Sequence, residues 1–430
     1  MSRRESFRPA SLAEWLAYLE GLHPAVIELG LERVEAVRAR LKLTPRFPIF
    51  TVGGTNGKGS TCAFLEAMLR AAGFRVGCYT SPHLLAYNER VRIGGVPVAD
   101  DDLCRAFAAV EAARGEVTLT YFEFGTLAAI WLFIEAGIEV AVLEVGMGGR
   151  LDAVNVFDPD IAVVTTVDLD HMAYLGPDRE AIGREKAGIY RAGRFALCAD
   201  HAPPESLLRH ARAIGARLRC IDHEFGWEEK GTAWTFWHQG EEGRLLLEDL
   251  PPPALPGIHQ RDNAAAAIEA LILASPWLWV APQAIREGLR GVQLAGRFQV
   301  LPGRPRRILD VAHNPQGARV LAESLAADAA SGKTVAVCAM LADKDMAGVV
   351  QALADKIDAW FVAGLPPPRG ASSASLAGVV REVVPHVSCQ AFQDVVEAYE
   401  AACGAATQDD RILIFGSFYT VAAVLAHLRG

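Results

Sequence analysis

The sequence lacks most of what would mark a secreted, membrane-embedded or nucleic-acid-binding protein. Its eight cysteines are scattered, with no CxxC pair and no paired spacing. They read as reduced thiols in a core, not as a disulfide framework or a zinc site. Basic side chains are outnumbered, 42 Lys and Arg against 51 Asp and Glu, for a net charge of −9. That balance argues against nucleic acid as a partner, because phosphate backbones are held by basic surfaces. It leaves room for a small anion, which a few basic groups and backbone N–H donors can hold on an acidic protein. No apolar signal core follows the opening Met1-Ser2-Arg3-Arg4-Glu5, so a cytoplasmic location is expected. Long clean apolar runs are missing too: residues 125–149 carry Glu135, Glu139 and Glu144, and residues 271–282 contain Pro276. Neither reads as a membrane span. There is no repeat, long linker or low-complexity tail.

What is present is a chain of 430 residues, 51% hydrophobic and 22% charged, long enough for two domains with their own cores. Short apolar runs alternate with longer helical patterns, the signature of an α/β protein with parallel sheets. Residues 47–52 read as a buried strand, 53–59 as a loop and 60–72 as a helix with Phe64, Leu65, Met68 and Leu69 on one face. Strands are expected at 75–80, 139–145 and 161–167. Residues 231–247, with Trp234 and Phe236, suggest a β-hairpin insertion or edge. A helix is expected at 261–274. A second α/β rhythm then begins, with strands at 308–311, 334–339, 359–363 and 411–415. The domain boundary falls in the glycine-rich stretch 291–303, giving domains of 1–295 and 296–430.

The most specific motif is Gly53-Gly54-Thr55-Asn56-Gly57-Lys58-Gly59-Ser60-Thr61, between a buried strand and a helix. Glycines let the backbone turn its N–H groups around an anion, the helix N-terminus adds a favourable field, and Lys58 supplies a positive charge. Strict Walker spacing would place glycine at position 52 and the hydroxyl directly after the lysine; Val52 and Gly59 stand there instead, so this is a variant phosphate loop. Glu144, in Leu143-Glu144-Val145-Gly146, ends an expected parallel strand, where open α/β sheets place their ligands. It suits Mg²⁺ beside a triphosphate, and alone would equally cap the next turn. His171, in Asp168-Leu169-Asp170-His171, follows the next strand in sequence; a single histidine there is more often structural, and its position one strand after Glu144 shifts the balance toward a shared site. In the second half, Asp310-Val311-Ala312-His313-Asn314-Pro315 and Gly416-Ser417-Phe418-Tyr419 place polar groups at strand-to-helix crossings. Helix capping explains them as well, with Pro315 at a first helical position.

Taken together, these segments resemble the bacterial bifunctional dihydrofolate synthase/folylpolyglutamate synthase family of the Mur ligase superfamily. The likeness also takes in Ser81-Pro82-His83, Glu89-Arg90-Val91-Arg92, residues 119–124 and residues 176–189, and so spans nearly the whole chain. It implies an N-terminal P-loop ATPase domain with a parallel-sheet core and a smaller C-terminal Rossmann-like α/β domain, with catalysis between them. It implies that Thr55, Asn56, Gly57, Lys58, Gly59 and Ser60 hold the ATP phosphates, and that Asn263, Arg297 and Asp310 contact the nucleotide. Ser60, Ser81, Glu144 and His171 would ligate Mg²⁺, and Lys186 would carry a carbamate that binds a second Mg²⁺. Thr120, Tyr121, Phe122, Glu123, Leu151, Asp152 and Ala153 would line the pterin site, while His313 and Ser417 would serve the incoming glutamate.

The expected chemistry is ATP-dependent ligation of L-glutamate to dihydropteroate and to reduced folates through an acyl phosphate. Lys58, the loop amides and Mg²⁺ would neutralise the phosphate charge, and His313 is the candidate acceptor of the amine proton. A cytoplasmic monomer acting on small molecules, without a nucleic-acid or membrane partner, is expected. A monofunctional folylpolyglutamate synthase or another Mur-type amino-acid ligase would run the same reaction; residues 119–123 and 81–83 favour a folate acceptor. A nucleotide switch sharing only the phosphate loop is disfavoured, since Ala342-Asp343-Lys344-Asp345 lacks the asparagine of a guanine-reading segment.

Overall fold

The structure is a computed structural model that describes residues 9–241, 243–328 and 332–429. The opening segment on which the cytoplasmic expectation rests lies outside them. The chain divides into two compact units.

The first unit comprises residues up to Val167, Asp178–Pro252 and Asp262–Gly291. Its main sheet has eight strands: β1 (Ile49–Gly53), β2 (Val76–Tyr79), β3 (Val91–Ile93), β4 (Val96–Pro97), β5 (Val140–Glu144), β6 (Ile161–Val164), β7 (Phe195–Cys198) and β8 (Arg217–Cys220). Their order is β4-β3-β2-β5-β1-β6-β7-β8. From β2 to β8 every neighbouring pair is parallel; β3 and β4 turn back antiparallel. The central strands are buried along their length and read as continuous apolar runs, as a sheet covered on both faces requires. The apolar stretch 125–149 resolves into the buried helix Tyr121–Ala136 followed by β5. Among the described residues no helix is long and apolar enough to cross a membrane.

The 231–247 hairpin is an insertion with its own sheet. β10 (Ala233–Gly240) pairs with β11 (Gly243–Leu250) and, on its other side, with β9 (Phe225–Lys230), giving the order β11-β10-β9.

The second unit comprises Val292–Gly430, within which residues up to 429 are described, together with Asp168–Pro177 and Pro253–Arg261. Its six strands are β12 (Gln299–Leu301), β13 (Arg306–Leu309), β14 (Thr334–Cys338), β15 (Ala359–Ala363), β16 (Ser388–Phe392) and β17 (Arg411–Phe415). They run in the order β12-β13-β17-β14-β15-β16, parallel except for β12. Trp360, Phe415, Leu353 and Leu376 lie in its core. Segment 168–177 joins this unit because its acidic side chains are bound there: Asp170 by Lys344 and Asn314, and Asp168 by Arg319.

Candidate functional site

In the first unit, three strand ends assemble the site. β1 leads into the phosphate loop, and register pairs Val52 with Glu144 on β5 and Tyr79 on β2 with Leu143. Glu144 is buried, and its Oε2 accepts the Ser81 N–H at 2.9 Å. Ser81 and Glu144 are thus brought together at the carboxyl ends of neighbouring strands, the place where open parallel sheets bind ligands. β1 lies between β5 and β6, so the strands ahead of Glu144 and His171 are consecutive in sequence but not neighbours in the sheet. His171 itself belongs to the second unit.

The helix after the loop begins at Lys58, two residues earlier than its apolar face suggests, and runs to Ala71. Lys58, Gly59 and Ser60 therefore form its first turn, whose N–H groups have no partner within the helix. Gly54 (φ +146°) and Gly57 (φ +90°) are closed to any side chain. A β-carbon would lie 1.8 Å from Thr165 Oγ1 at the first and 2.4 Å from Asn263 Oδ1 at the second. Lys58 Nζ donates to the carbonyls of Gly54 (3.1 Å) and Thr55 (3.2 Å), bracing the loop from inside. The loop is also laced to the chain after β6. Thr55 N–H donates to Thr166 O (2.6 Å) and Asn56 N–H to Thr166 Oγ1 (3.1 Å), while Thr165 Oγ1 donates to Asn56 O (2.6 Å). Sequence reasoning missed these threonines by running the strand on to Val167. β6 ends at Val164, and two consecutive threonines at a parallel strand's carboxyl end were the available signal.

Asn263 is buried on the helix Gln260–Ala274, with Thr61 Oγ1 donating to its Oδ1 at 3.5 Å. Asp152 is fully buried and accepts N–H groups from Met147 (2.8 Å) and Val154 (3.1 Å). Burial pushes its carboxyl up to about 7, against the opposing pull of those hydrogen bonds and of Lys58. Leu151 and Ala153 flank it. Thr120 and Glu123 cap the helix Tyr121–Ala136 reciprocally, and Arg33 Nη2 reaches Glu123 at 2.9 Å, so their polar groups are engaged in structure. Tyr121 and Phe122 remain partly exposed. Phe122 lies against Tyr79, with ring centroids 5.8 Å apart, and under Gly146, where a β-carbon would meet its ring at 2.7 Å. Lys186 is buried near the end of the helix Arg179–Ala187, whose Glu185 carbonyl accepts the Arg150 N–H at 2.8 Å.

In the second unit, polar groups gather beyond β13, β14 and β17, three neighbouring strands. Asp310 accepts the N–H groups of Phe298 (2.8 Å) and Ala312 (2.7 Å). Burial raises its carboxyl, and the Arg297 charge opposes the rise. The Arg297 guanidinium sits 5.3 Å from the centre of the Phe418 ring. Ser417 caps the helix Phe418–His427, and its hydroxyl lies 2.7 Å from Thr420 Oγ1. His313 Nδ1 lies 2.8 Å from the Val311 carbonyl, a contact that assigns its proton to Nδ1 and turns Nε2 to within 3.6 Å of Asp170 Oδ2. Asp170 is the hub: it also takes Lys344 Nζ (2.5 Å) and Asn314 Nδ2 (3.1 Å), and the backbone N–H of His171 at 2.8 Å. Burial pushes its carboxyl up, but the neighbouring His313 side chain and the charges of His171 and Lys344 outweigh that and hold it well below the usual carboxylate range. His171 adopts a left-handed conformation (φ 52°), which is uncommon for any residue other than glycine. Asp170 and Lys344 are the residues sequence reasoning passed over. A lysine in an otherwise unassigned Asp-Lys-Asp segment gives no warning that it will be buried.

With this geometry in place, comparison with known proteins is decisive. The Mur ligase middle domain model matches residues 52–271, and the Mur ligase glutamate ligase domain model matches residues 296–418. Dihydrofolate synthase/folylpolyglutamate synthase of Escherichia coli K12 is 45% identical over 416 residues, covering 96% of this chain and 94% of that protein. The chain belongs to the dihydrofolate synthase/folylpolyglutamate synthase family. A Bacillus subtilis relative of the same name is 31% identical over 94% of this chain and 96% of its own length. Among solved structures, E. coli FolC in complex with DHPP and ADP superposes with a TM-score of 0.92 at 44% identity, covering 98% of both chains. A bifunctional folylpolyglutamate synthase/dihydrofolate synthase with Mn, AMPPNP and L-glutamate bound gives 0.90 at 46% identity, covering 99% of this chain and 100% of that one. The α/β architecture expected from the sequence is the architecture of this family.

Proposed function

We propose that this chain is an ATP-dependent ligase that adds L-glutamate to dihydropteroate, giving dihydrofolate, and to reduced folates, giving polyglutamates. One observation carries the reading: a phosphate loop in which Gly54 and Gly57 exclude every side chain and Lys58 spans the turn, in a chain that matches the family over 96% of its length.

The acceptor carboxylate attacks the γ-phosphorus of ATP. A carboxyl O–P bond forms, the bond to the bridging oxygen of ADP breaks, and an acyl phosphate results. The glutamate amine then attacks the acyl carbon, phosphate leaves, and the amine gives up a proton. In the first step Lys58 and the amides of Thr55, Asn56, Gly57, Gly59 and Ser60 stabilise the charge moving across the phosphates. Asn263, Arg297 and Asp310 hold the nucleotide. Tyr121 and Phe122 offer aromatic faces to the pterin, with Leu151, Asp152 and Ala153 at its edge and Thr120 and Glu123 fixing the helix that presents them. Ser417 and His313 serve glutamate. His313 Nε2 takes the amine proton, and the neighbouring Asp170 carboxylate stabilises the imidazolium that forms.

Glu144 is a buried hard-oxygen donor held beside Ser81, which suits Mg²⁺. Ser60, Ser81, Glu144, His171 and a carbamate on Lys186 would hold the ion at two sites, where it neutralises phosphate oxygens. The groups named all come from one chain, which we read as a cytoplasmic monomer acting on small molecules, without a nucleic-acid or membrane partner. All eight cysteines are free, as a reducing compartment would keep them.

The test is phosphate release by the purified chain with ATP and Mg²⁺. Release should require glutamate together with either dihydropteroate or a reduced folate. Turnover on one acceptor alone would cut the assignment to a single activity, and release that needs neither substrate would contradict it.

A further inference from the structure

The insertion β9–β11 is held by hydrogen bonds and charge to the helix that carries Asn263. Asp262 and Glu269 stand two turns apart and so share one face of that helix. Glu269 is wholly buried and takes Arg219 Nε at 2.5 Å and His238 Nδ1 at 2.8 Å. Arg219 reaches on to the carbonyls of Glu224 (3.0 Å) and Gln239 (2.6 Å). Asp262 takes Trp227 Nε1 at 2.8 Å, and His201 Nε2 lies 3.3 Å away. Trp227 lies on β9 and His238 on β10, so the sheet grips the helix at two heights.

Apolar contact alone would bury such an insertion as well. The buried Glu269–Arg219 pair is a costly way to gain stability, and one benefit such pairs have is a fixed register. Directional bonds at two heights stop the helix from sliding along its axis or turning about it. Asn263 follows Asp262 directly, and its Oδ1 stands where a β-carbon on Gly57 would come within 2.4 Å. A small shift of the helix is therefore felt at the phosphate loop.

We propose that Trp227 and Asp262 are positioning residues for the nucleotide, through which the sheet β9–β11 sets Asn263 against the phosphate loop. The proposal rests on the reading of Asn263 as a nucleotide contact. Trp227→Phe removes one N–H and keeps an aromatic ring beside Trp234, whose centroid is 6.5 Å away. Asp262→Asn removes the acceptor charge. Each variant should raise the Kd for ADP and the KM for ATP about tenfold, with the KM for glutamate unchanged and the melting temperature close to that of the parent. Asn263→Ala should weaken ADP similarly, and Trp227→Phe added to it should weaken ADP no further.

Parent-like ADP binding by both positioning variants, with Asn263→Ala weakened, would overturn the proposal and leave the nucleotide contact standing. Parent-like binding by Asn263→Ala would remove the contact and the proposal with it. A common rise of every KM together with a lower melting temperature would reduce the insertion to a structural part and overturn the proposal. So would additive losses in the double variant.

Discussion

Lys344 Nζ lies 2.5 Å from Asp170 Oδ1, and both side chains are almost wholly buried. Asp170 precedes His171, and its carboxylate also meets Asn314 and His313, so one ion pair is fixed beside two proposed site groups, His171 and His313. Removing one member of a buried pair strands the other. Lys344→Ala should destabilise the second unit by about 3–5 kcal/mol. Lys344→Met combined with Asp170→Asn should recover much of that stability without recovering activity. Denaturant unfolding read beside turnover checks this. Restored activity in the double variant would show that the pair is structural only.

The phosphate loop makes the sharpest steric forecast. Gly54→Ala places a methyl group 1.8 Å from Thr165 Oγ1, at a backbone angle that L-residues avoid, so ATP binding should be lost by calorimetry. Lys58→Ala should retain the fold and slow turnover by about a thousandfold or more at saturating ATP, since it removes the charge that follows the moving phosphate. Near-normal turnover in Lys58→Ala would place the ATP phosphates elsewhere.

Glu144→Gln keeps an acceptor for the Ser81 N–H and discards only the charge. It should raise the Mg²⁺ midpoint for activity by about tenfold or more, while chelation silences the parent. An unchanged Mg²⁺ titration would move the metal away from β5. Labelled bicarbonate should give a carbamate carbon signal in the parent that Lys186→Ala lacks, and a signal that persists there would clear Lys186 of that role.

His201 carries a pH signature. The Asp262 hydrogen bond, opposed by burial and joined by Asp222, lifts its imidazole from 6.5 to about 9. A folded value above the unfolded one adds stability that is fully present below pH 6.5 and is lost as pH rises through about 9. The side chain is 54% exposed, and solvent screening limits the gain to about 1 kcal/mol or less. The melting-temperature gap between the parent and His201→Gln should be widest below that window and close across it. A constant gap would assign the loss to packing.

The buried strands and the phosphate loop were legible because both announce themselves locally: apolar runs between turns, and glycines ahead of a lysine. The expected strands at 359–363 and 411–415 coincide with β15 and β17. β16 was missed because this edge strand is largely exposed and carries no apolar run, and β8 because arginines alternate through it. The Thr165–Thr166 clasp left only the paired threonines after an apolar strand as a local signal, and the Asp170–Lys344 pair left none. Each joins residues far apart in sequence, and only the sheet order and burial reveal that a threonine or lysine has a long-range partner. The charged grips on Asp262 and Glu269 were hidden in the same way, since His201, Trp227 and His238 look like ordinary strand and loop residues until the helix is set beside them.

The central claim is that the acceptor carboxylate is phosphorylated before glutamate attacks it. Dihydropteroate labelled with oxygen-18 in its carboxylate, turned over by the parent enzyme with ATP and glutamate, tests that step directly. One labelled oxygen per turnover should appear in the released phosphate, because the carboxyl oxygen that attacks phosphorus leaves with it. Phosphate free of label would mean that the carboxylate is never phosphorylated, and the ligase mechanism drawn from this site would be wrong.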